Sequence, residues 1–271
     1  MSLLASGIRK LSRRLATWVT FGLLAGLLVL ILVATGATYE QAANAPGAIG
    51  RRALLTFPGA YDSVLAFIVG LGGLLAVVYG AAVAGSEWTW GTLKNAVARG
   101  ESRSRYVVFT FVAVAIVVIV GLLLTFGIGV GAAIVGSNLA GIPTTAVNDT
   151  ATLSALPERL ARTSFAIVEE GALGFAIATL FRSQLAGIGA GIALYFGEQF
   201  AGIFLPDIMQ WLPFDAATAV LGDQAGIGGA GGGGIDVTAL DPNTALVVVG
   251  AWLIGAIVVS ALFTERAEIG G

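Results

Sequence analysis

Long apolar runs alternate with short polar stretches along the whole chain. The runs lie at about residues 16–37, 61–84, 106–128, 160–181, 185–205 and 245–263. Several hold 18 or more consecutive residues without a charge, enough for a helix to cross the roughly 30 Å hydrocarbon core of a bilayer. The pattern predicts an all-α, polytopic membrane protein: one transmembrane domain over residues 1–271, with six spans.

Residues 2–15 carry a different pattern. Leu3, Leu4, Ile8, Leu11 and Leu15 share one helical face, and Arg9, Lys10, Arg13 and Arg14 fall mostly on the other. This predicts an amphipathic helix lying in the interface beside anionic headgroups. The plainer alternative is a basic flank of the first span. Within the first span, Gly22 and Gly26 have the spacing that permits close helix contact. Small residues recur in the fifth span (Gly187, Gly189, Gly191) and the sixth (Gly250, Gly255).

The polar stretches lie at 38–60, 85–105, 137–156, 182–184 and 206–244. The second of these reads GSEWTWGTLKNAVARGESRSR and carries Lys94, Arg99, Arg103 and Arg105. Ser86 is a residue type that caps a helix start, and Gly100 follows Arg99 as at a helix end. One basic helix of about three turns is expected between them, with Trp88 and Trp90 near its start. The segment at 207–221 has apolar residues near helical spacing and predicts one or two short helices interrupted at Pro213. Such helices would cap an exit or simply anchor the loop.

Composition narrows the class. Of 271 residues 57% are hydrophobic and 11% charged, where a soluble domain carries about 25% charged; mean hydropathy is +0.92. Cysteine and histidine are both absent, which removes disulfides, thiol chemistry, Ser-His dyads and the usual transition-metal ligands. No metal site or cofactor is expected on this chain. There is no G-x-x-x-x-G-K-[ST] phosphate loop. The glycine run at 226–234 has no following Lys and reads as a flexible loop. The chain is not expected to be an enzyme by itself.

Charge placement gives an orientation. With six spans and both termini cytoplasmic, Arg9, Lys10, Arg13, Arg14, Lys94, Arg99, Arg103, Arg105, Arg182 and Arg266 lie inside, and Arg51, Arg52, Arg159 and Arg162 outside. That asymmetry satisfies the positive-inside rule. All the inner loops are then short, so the chain carries no soluble domain of its own.

Glu169, Glu170 and Glu198 interrupt apolar runs. A carboxylate at mid-bilayer costs about 2.5–3.5 kcal/mol on insertion scales and normally faces protein or water. Counted from the turn at 182–184, Glu170 and Glu198 lie roughly 18 and 21 Å up adjacent spans. Two readings follow. The acids line an outward-facing polar cavity suited to a cationic or amphipathic substrate, as candidates for a translocation path. Or they are structural, bonded to neighbours such as Arg162, Ser164 or Gln199.

Six spans, an N-terminal interfacial helix and a polar helix between the second and third spans resemble the type-2 ABC transporter permeases. The nearest likeness is to bacterial half-size permeases of the bacitracin, lantibiotic-immunity and sodium-export kind. The residues that carry it are Glu87, then Gly91-Thr92-Leu93-Lys94, then Ser102-Arg103-Ser104-Arg105. A proline that often precedes the Ser-Arg step is replaced by Gly100-Glu101. Trp211-Leu212-Pro213-Phe214 is a second likeness.

The resemblance implies an exporter subunit in a bacterial inner (plasma) membrane. The helix between the second and third spans would be a coupling helix. Glu87, Trp90, Gly91, Thr92, Lys94, Arg99 and Arg103 would lie at or beside the seat on a separate ABC ATPase subunit, present in two copies. A second permease copy, identical or related, would complete the path, and ATP and Mg would bind the ATPase. An ordinary basic loop is the alternative for this segment. For the whole chain the alternatives are an ion-coupled carrier using the intramembrane glutamates, and a non-transporting immunity or scaffold protein.

Overall fold

The computed structural model describes residues 3–41, 48–98, 100–222 and 240–267. Among them every regular element is helical. Five helices are long and apolar enough to cross a membrane. They are α2 (Leu15–Ala37), a rod over Gly59–Thr89, α7 (Arg103–Leu139), α8 (Thr150–Phe181) and α12 (Pro242–Arg266). The rod comprises α4 (Gly59–Phe67), one π turn at Ile68–Gly72 and α5 (Gly73–Thr89). The run at 185–205 forms α9 (Gln184–Gly202), which is shorter and diluted near its C-terminal end by Glu198 and Gln199. The structure is a multi-span membrane bundle.

The remaining helices are short: α1 (Leu3–Ser12), α3 (Ala48–Leu55), α6 (Thr92–Ala98), α10 (Pro206–Met209) and α11 (Pro213–Ala219). α1 lays Leu4, Ile8 and Leu11 on the hydrophobic core, with Gly7 against Ala113 of α7. Pro213 opens α11 at the helix position where a missing N–H costs nothing. The two short helices α10 and α11 thus divide at Pro213, and the glycine run at 226–234 lies outside the described residues.

Side-chain ties define two ends of the bundle. At one end Arg14 meets Ser86, Arg103 meets the end of α12, and Arg182 lies over Trp88 and Phe263. At the other, Tyr61 donates to the Val147 carbonyl, Ser137 to the Leu55 carbonyl, Arg159 pairs with Asp62, and Trp252 donates to the Trp211 carbonyl. The first four long helices therefore alternate in direction, and α12 runs parallel to α8.

The centre of the bundle is the α5 rod against α8. In each, 67% of the most apolar stretch is buried, against 22% in α2 and 17% in α12, so the first pair is core and the second pair lies at its periphery. Glycines set the contact. Gly80 abuts the Gly171 carbonyl and Gly174 the Val77 carbonyl, so closely that a Cβ on either would overlap backbone. Small residues let helices approach where lipid gives no hydrophobic drive between them. Gly22 and Gly26, expected at such a contact, meet nothing within 4 Å; α2 approaches α7 at Gly36 and Gly136 instead. Spacing marks where close contact is permitted, not which face finds a partner.

Two polar stretches are shorter than their composition suggests. α8 begins at Thr150, capped by Asp149, whose carboxylate accepts from Thr152 N and Oγ1. The helix thus takes in Glu158, Arg159 and Arg162. α7 runs to Leu139, so the expected loop over 137–156 shrinks to about ten residues between the helices. In the 85–105 segment, Ser86 does not cap a helix. It is buried in α5 and donates to the Val83 carbonyl. Nothing between Ala84 and Thr89 breaks a helix, so α5 continues to Thr89 and takes Trp88 with it. The chain turns at Gly91 (φ +65°), and α6 is seven residues long, closed by Gly100 (φ +87°). Both turns need the left-handed region that glycine enters without penalty.

Candidate functional site

Glu87 stands in the last turn of α5, 5% exposed. Its Oε1 accepts from Lys10 Nζ at 2.5 Å and from an Arg14 Nη at 3.5 Å. Its Oε2 accepts from Thr92 Oγ1 at 2.5 Å and from the Tyr106 hydroxyl at 2.7 Å. One carboxylate therefore ties α1, the start of α2, α5, α6 and α7 together. Arg14 also donates to Ser86 Oγ at 2.9 Å and lies over the Trp90 ring, 5.2 Å from its centroid. Charge-assisted bonds are the stronger kind, and most of these are sheltered from water.

The other motif residues divide by direction. Arg103 points at α12, donating to the carbonyls of Ala267 at 2.6 Å and Glu265 at 3.3 Å. Thr92 faces inward to Glu87, while Leu93 and Ala96 bury the inner side of α6. Trp90 is 63% exposed, and Lys94 is exposed on the outer side of α6. Gly91 forms the turn between them. Arg99 lies outside the described residues. Of the expected set, Trp90 and Lys94 are exposed, and Glu87, Thr92 and Arg103 are bonded within the bundle.

A second polar centre lies within the bundle. The structure brings Glu169 and Glu170 of α8 together with Glu198 of α9, at 0%, 1% and 4% exposure. Both carboxyl oxygens of Glu169, and Oε2 of Glu170 and of Glu198, have no hydrogen-bond partner in the protein. Among the described residues the charged groups acting on them are one another and Asp215, and none is a cation. The expected neighbours are engaged elsewhere: Arg162 with Glu158 and Asn243, Ser164 with the Leu160 carbonyl. Among the described residues the three acids are almost wholly shielded from solvent.

The surroundings explain how three acids fit. The Glu170 carboxyl lies against Gly73, where any Cβ would overlap it. Gly73 directly follows the π turn, and the Tyr195 hydroxyl donates to the Gly70 carbonyl within that turn at 2.7 Å. Single π turns in α-helices concentrate at functional sites. Glu198 Oε1 accepts from the backbone N–H of Asp215 in α11 at 2.8 Å, and the Phe214 ring packs edge-on against Tyr195. Burial pushes the Asp215 carboxyl above its usual range.

The sequence pattern singled out the three glutamates but not Tyr195, Gly70, Gly73 or Asp215, which complete the centre. Nor did it single out Lys10, Arg14 and Tyr106 around Glu87. Among the described residues no group of three or more acids, His or Cys is arranged to hold a metal ion. A scan against protein-family models finds no match to the chain, and a search of curated proteins finds none either.

Proposed function

We propose that this chain is the membrane permease subunit of an ATP-driven exporter, working with a separate ATPase. The observation that carries the reading is the Glu87 knot behind a short helix that exposes Lys94 and follows the exposed Trp90. α6 is held between two glycine turns and braced by Thr92 and Glu87. A push on Trp90 and Lys94 passes to α1, α5 and α7 as one body, since all three meet at the same carboxylate. That is what a coupling helix needs: an exposed face to be moved and a stiff attachment to the spans.

In this reading α9 is a sixth crossing and residues 1–271 form one transmembrane domain. The end bearing Arg14, Arg103 and Arg182 is cytoplasmic, in a bacterial plasma membrane. Two permease copies, identical or related, enclose the path above two ATPase subunits, which bind ATP and Mg. This chain supplies no catalytic group. The resemblance in Glu87 and Gly91-Thr92-Leu93-Lys94 supports this choice over other transporters. An ion-coupled carrier is the second reading, favoured by the three unpaired glutamates.

The test is a pull-down of the tagged chain from membranes of its native host in mild detergent. A stoichiometric ABC ATPase should co-purify, and a Trp90→Ala, Lys94→Ala variant, which leaves Glu87 intact, should lose it. A clean preparation of both, without an ATPase, would overturn the exporter reading in favour of the carrier.

A further inference from the structure

We propose that Glu169, Glu170 and Glu198, with Tyr195 and the π turn at Ile68–Gly72, form a proton-binding site that latches the outer helix α11 to the core of the bundle. The inference rests on the membrane-spanning reading and not on an ATPase partner, so its test and the pull-down fail independently.

The argument starts from unmet chemistry. Glu169 is 0% exposed with neither carboxyl oxygen bonded, and Glu170 and Glu198 each leave one buried oxygen unbonded. A charge buried without a partner is among the most costly features a protein can hold. Such a group takes up a counter-ion or a proton. Among the described residues the neighbouring elements offer no cation. α8 contributes Glu169 and Glu170, α9 contributes Glu198 and the Tyr195 hydroxyl, α11 contributes Asp215, and the π turn contributes a carbonyl. The acids are also not arranged as metal ligands. Protons are the species that neutralise them with the least room.

Protons here have a mechanical consequence. Glu198 holds the Asp215 N–H, and Tyr195 holds both Gly70 and the Phe214 ring. Phe214, Ala216 and Ala217 of α11 are almost wholly buried. With the acids neutral, α11 packs onto α8, α9 and the π turn. With them ionised, Glu169 and Glu170 repel Glu198, and Glu198 repels Asp215, where α8, α9 and α11 meet. The contact that gives way first is α11, the short element at the outer end, since α5 and α8 are locked by glycine contacts. Loss of protons from the cluster therefore opens the outer end of the bundle.

The test uses the full chain reconstituted in liposomes. The sequence has no cysteine, so a single Ala217→Cys probe reports α11 alone through its reaction with a membrane-impermeant maleimide. Divided at each pH by the rate of an exposed Leu153→Cys control, which carries the thiol's own ionisation, labelling should be slow at low pH and quicken as pH rises, approaching roughly tenfold per pH unit where opening releases one proton. In a Glu169→Gln, Glu170→Gln, Glu198→Gln background it should stay slow at every pH, because glutamine is neutral and keeps an acceptor for the Asp215 N–H. Infrared difference spectra across the same pH step, taken without the probe, should show carboxylic-acid C=O intensity that disappears in the glutamine variant. Labelling indifferent to pH in the wild-type background, or equally steep in the glutamine background, would overturn the proposal. So would labelling that follows sodium concentration at constant pH.

Discussion

At the scale of single residues, Glu87 is where chain position and physical role part. Its place before Gly-Thr-Leu-Lys was legible in the sequence. Its partners were not, because Lys10 and Arg14 come from the N-terminal segment and no local pattern links them to residue 87. Truncation would strand Lys10 and Arg14 beside a hole and free the hydroxyls of Thr92 and Tyr106. Glu87→Ala should cost about 1.5–3 kcal/mol, the range for lost charged hydrogen bonds. Lys10→Met should cost less, under about 1 kcal/mol, since Lys10 is 35% exposed and its charge is screened. Thermal unfolding in detergent reads both, and a double variant should fall short of the sum if the two share one interaction. An Glu87→Ala protein that melts like the parent would remove the knot from the coupling argument.

At the scale of elements, the glycines decide which helices touch. Gly80→Val and Gly174→Val should each force α5 from α8, because the new side chain meets backbone carbonyls that cannot rotate away. Overpacking costs about 1–3 kcal/mol even against movable side chains, so these variants should yield little folded protein, or protein with a clearly lowered melting temperature. Gly22→Ala and Gly26→Ala are the contrast. Nothing lies within 4 Å of either Cβ position, and alanine favours a helix over glycine by about 0.8–1.0 kcal/mol. They should melt at or above the parent temperature. A reversal, with Gly22 and Gly26 sensitive and Gly80 and Gly174 tolerant, would mean that α2 and not α5 is the packed element. The long helices were readable from hydrophobic run length, since lipid imposes that length on any span. The partner of each helix was not, since glycine spacing is equally good on a face that meets lipid and a face that meets protein. The 85–105 segment misled for a related reason: Ser86 suits a cap, but a helix already under way ends only where the backbone must turn, at Gly91.

At the scale of the whole molecule, the path of α9 decides the architecture. Its ends tell a consistent story: Gln184 lies beside Gly85 at the end that holds Arg14 and Arg103, while Glu198 reaches α11 at the end that holds Trp211 and Trp252. Nineteen residues of helix cover about 28 Å, close to the hydrocarbon thickness. Run length alone was ambiguous here because Glu198 and Gln199 offset the apolar residues before them. The neutral cluster inferred above removes that objection, for a protonated carboxyl buried in protein is tolerated where an ion facing lipid is not. Single cysteines in this cysteine-free chain make the prediction sharp. Ser12→Cys and Lys94→Cys should react with an impermeant maleimide only from the cytoplasmic side. Leu153→Cys and Ile208→Cys, both on exposed positions, should react only from the opposite side. If Ile208→Cys instead reacts together with Lys94→Cys, α9 turns back without crossing. α11 would then sit at the wrong face for an outer gate, and the exporter architecture and the latch would fall together.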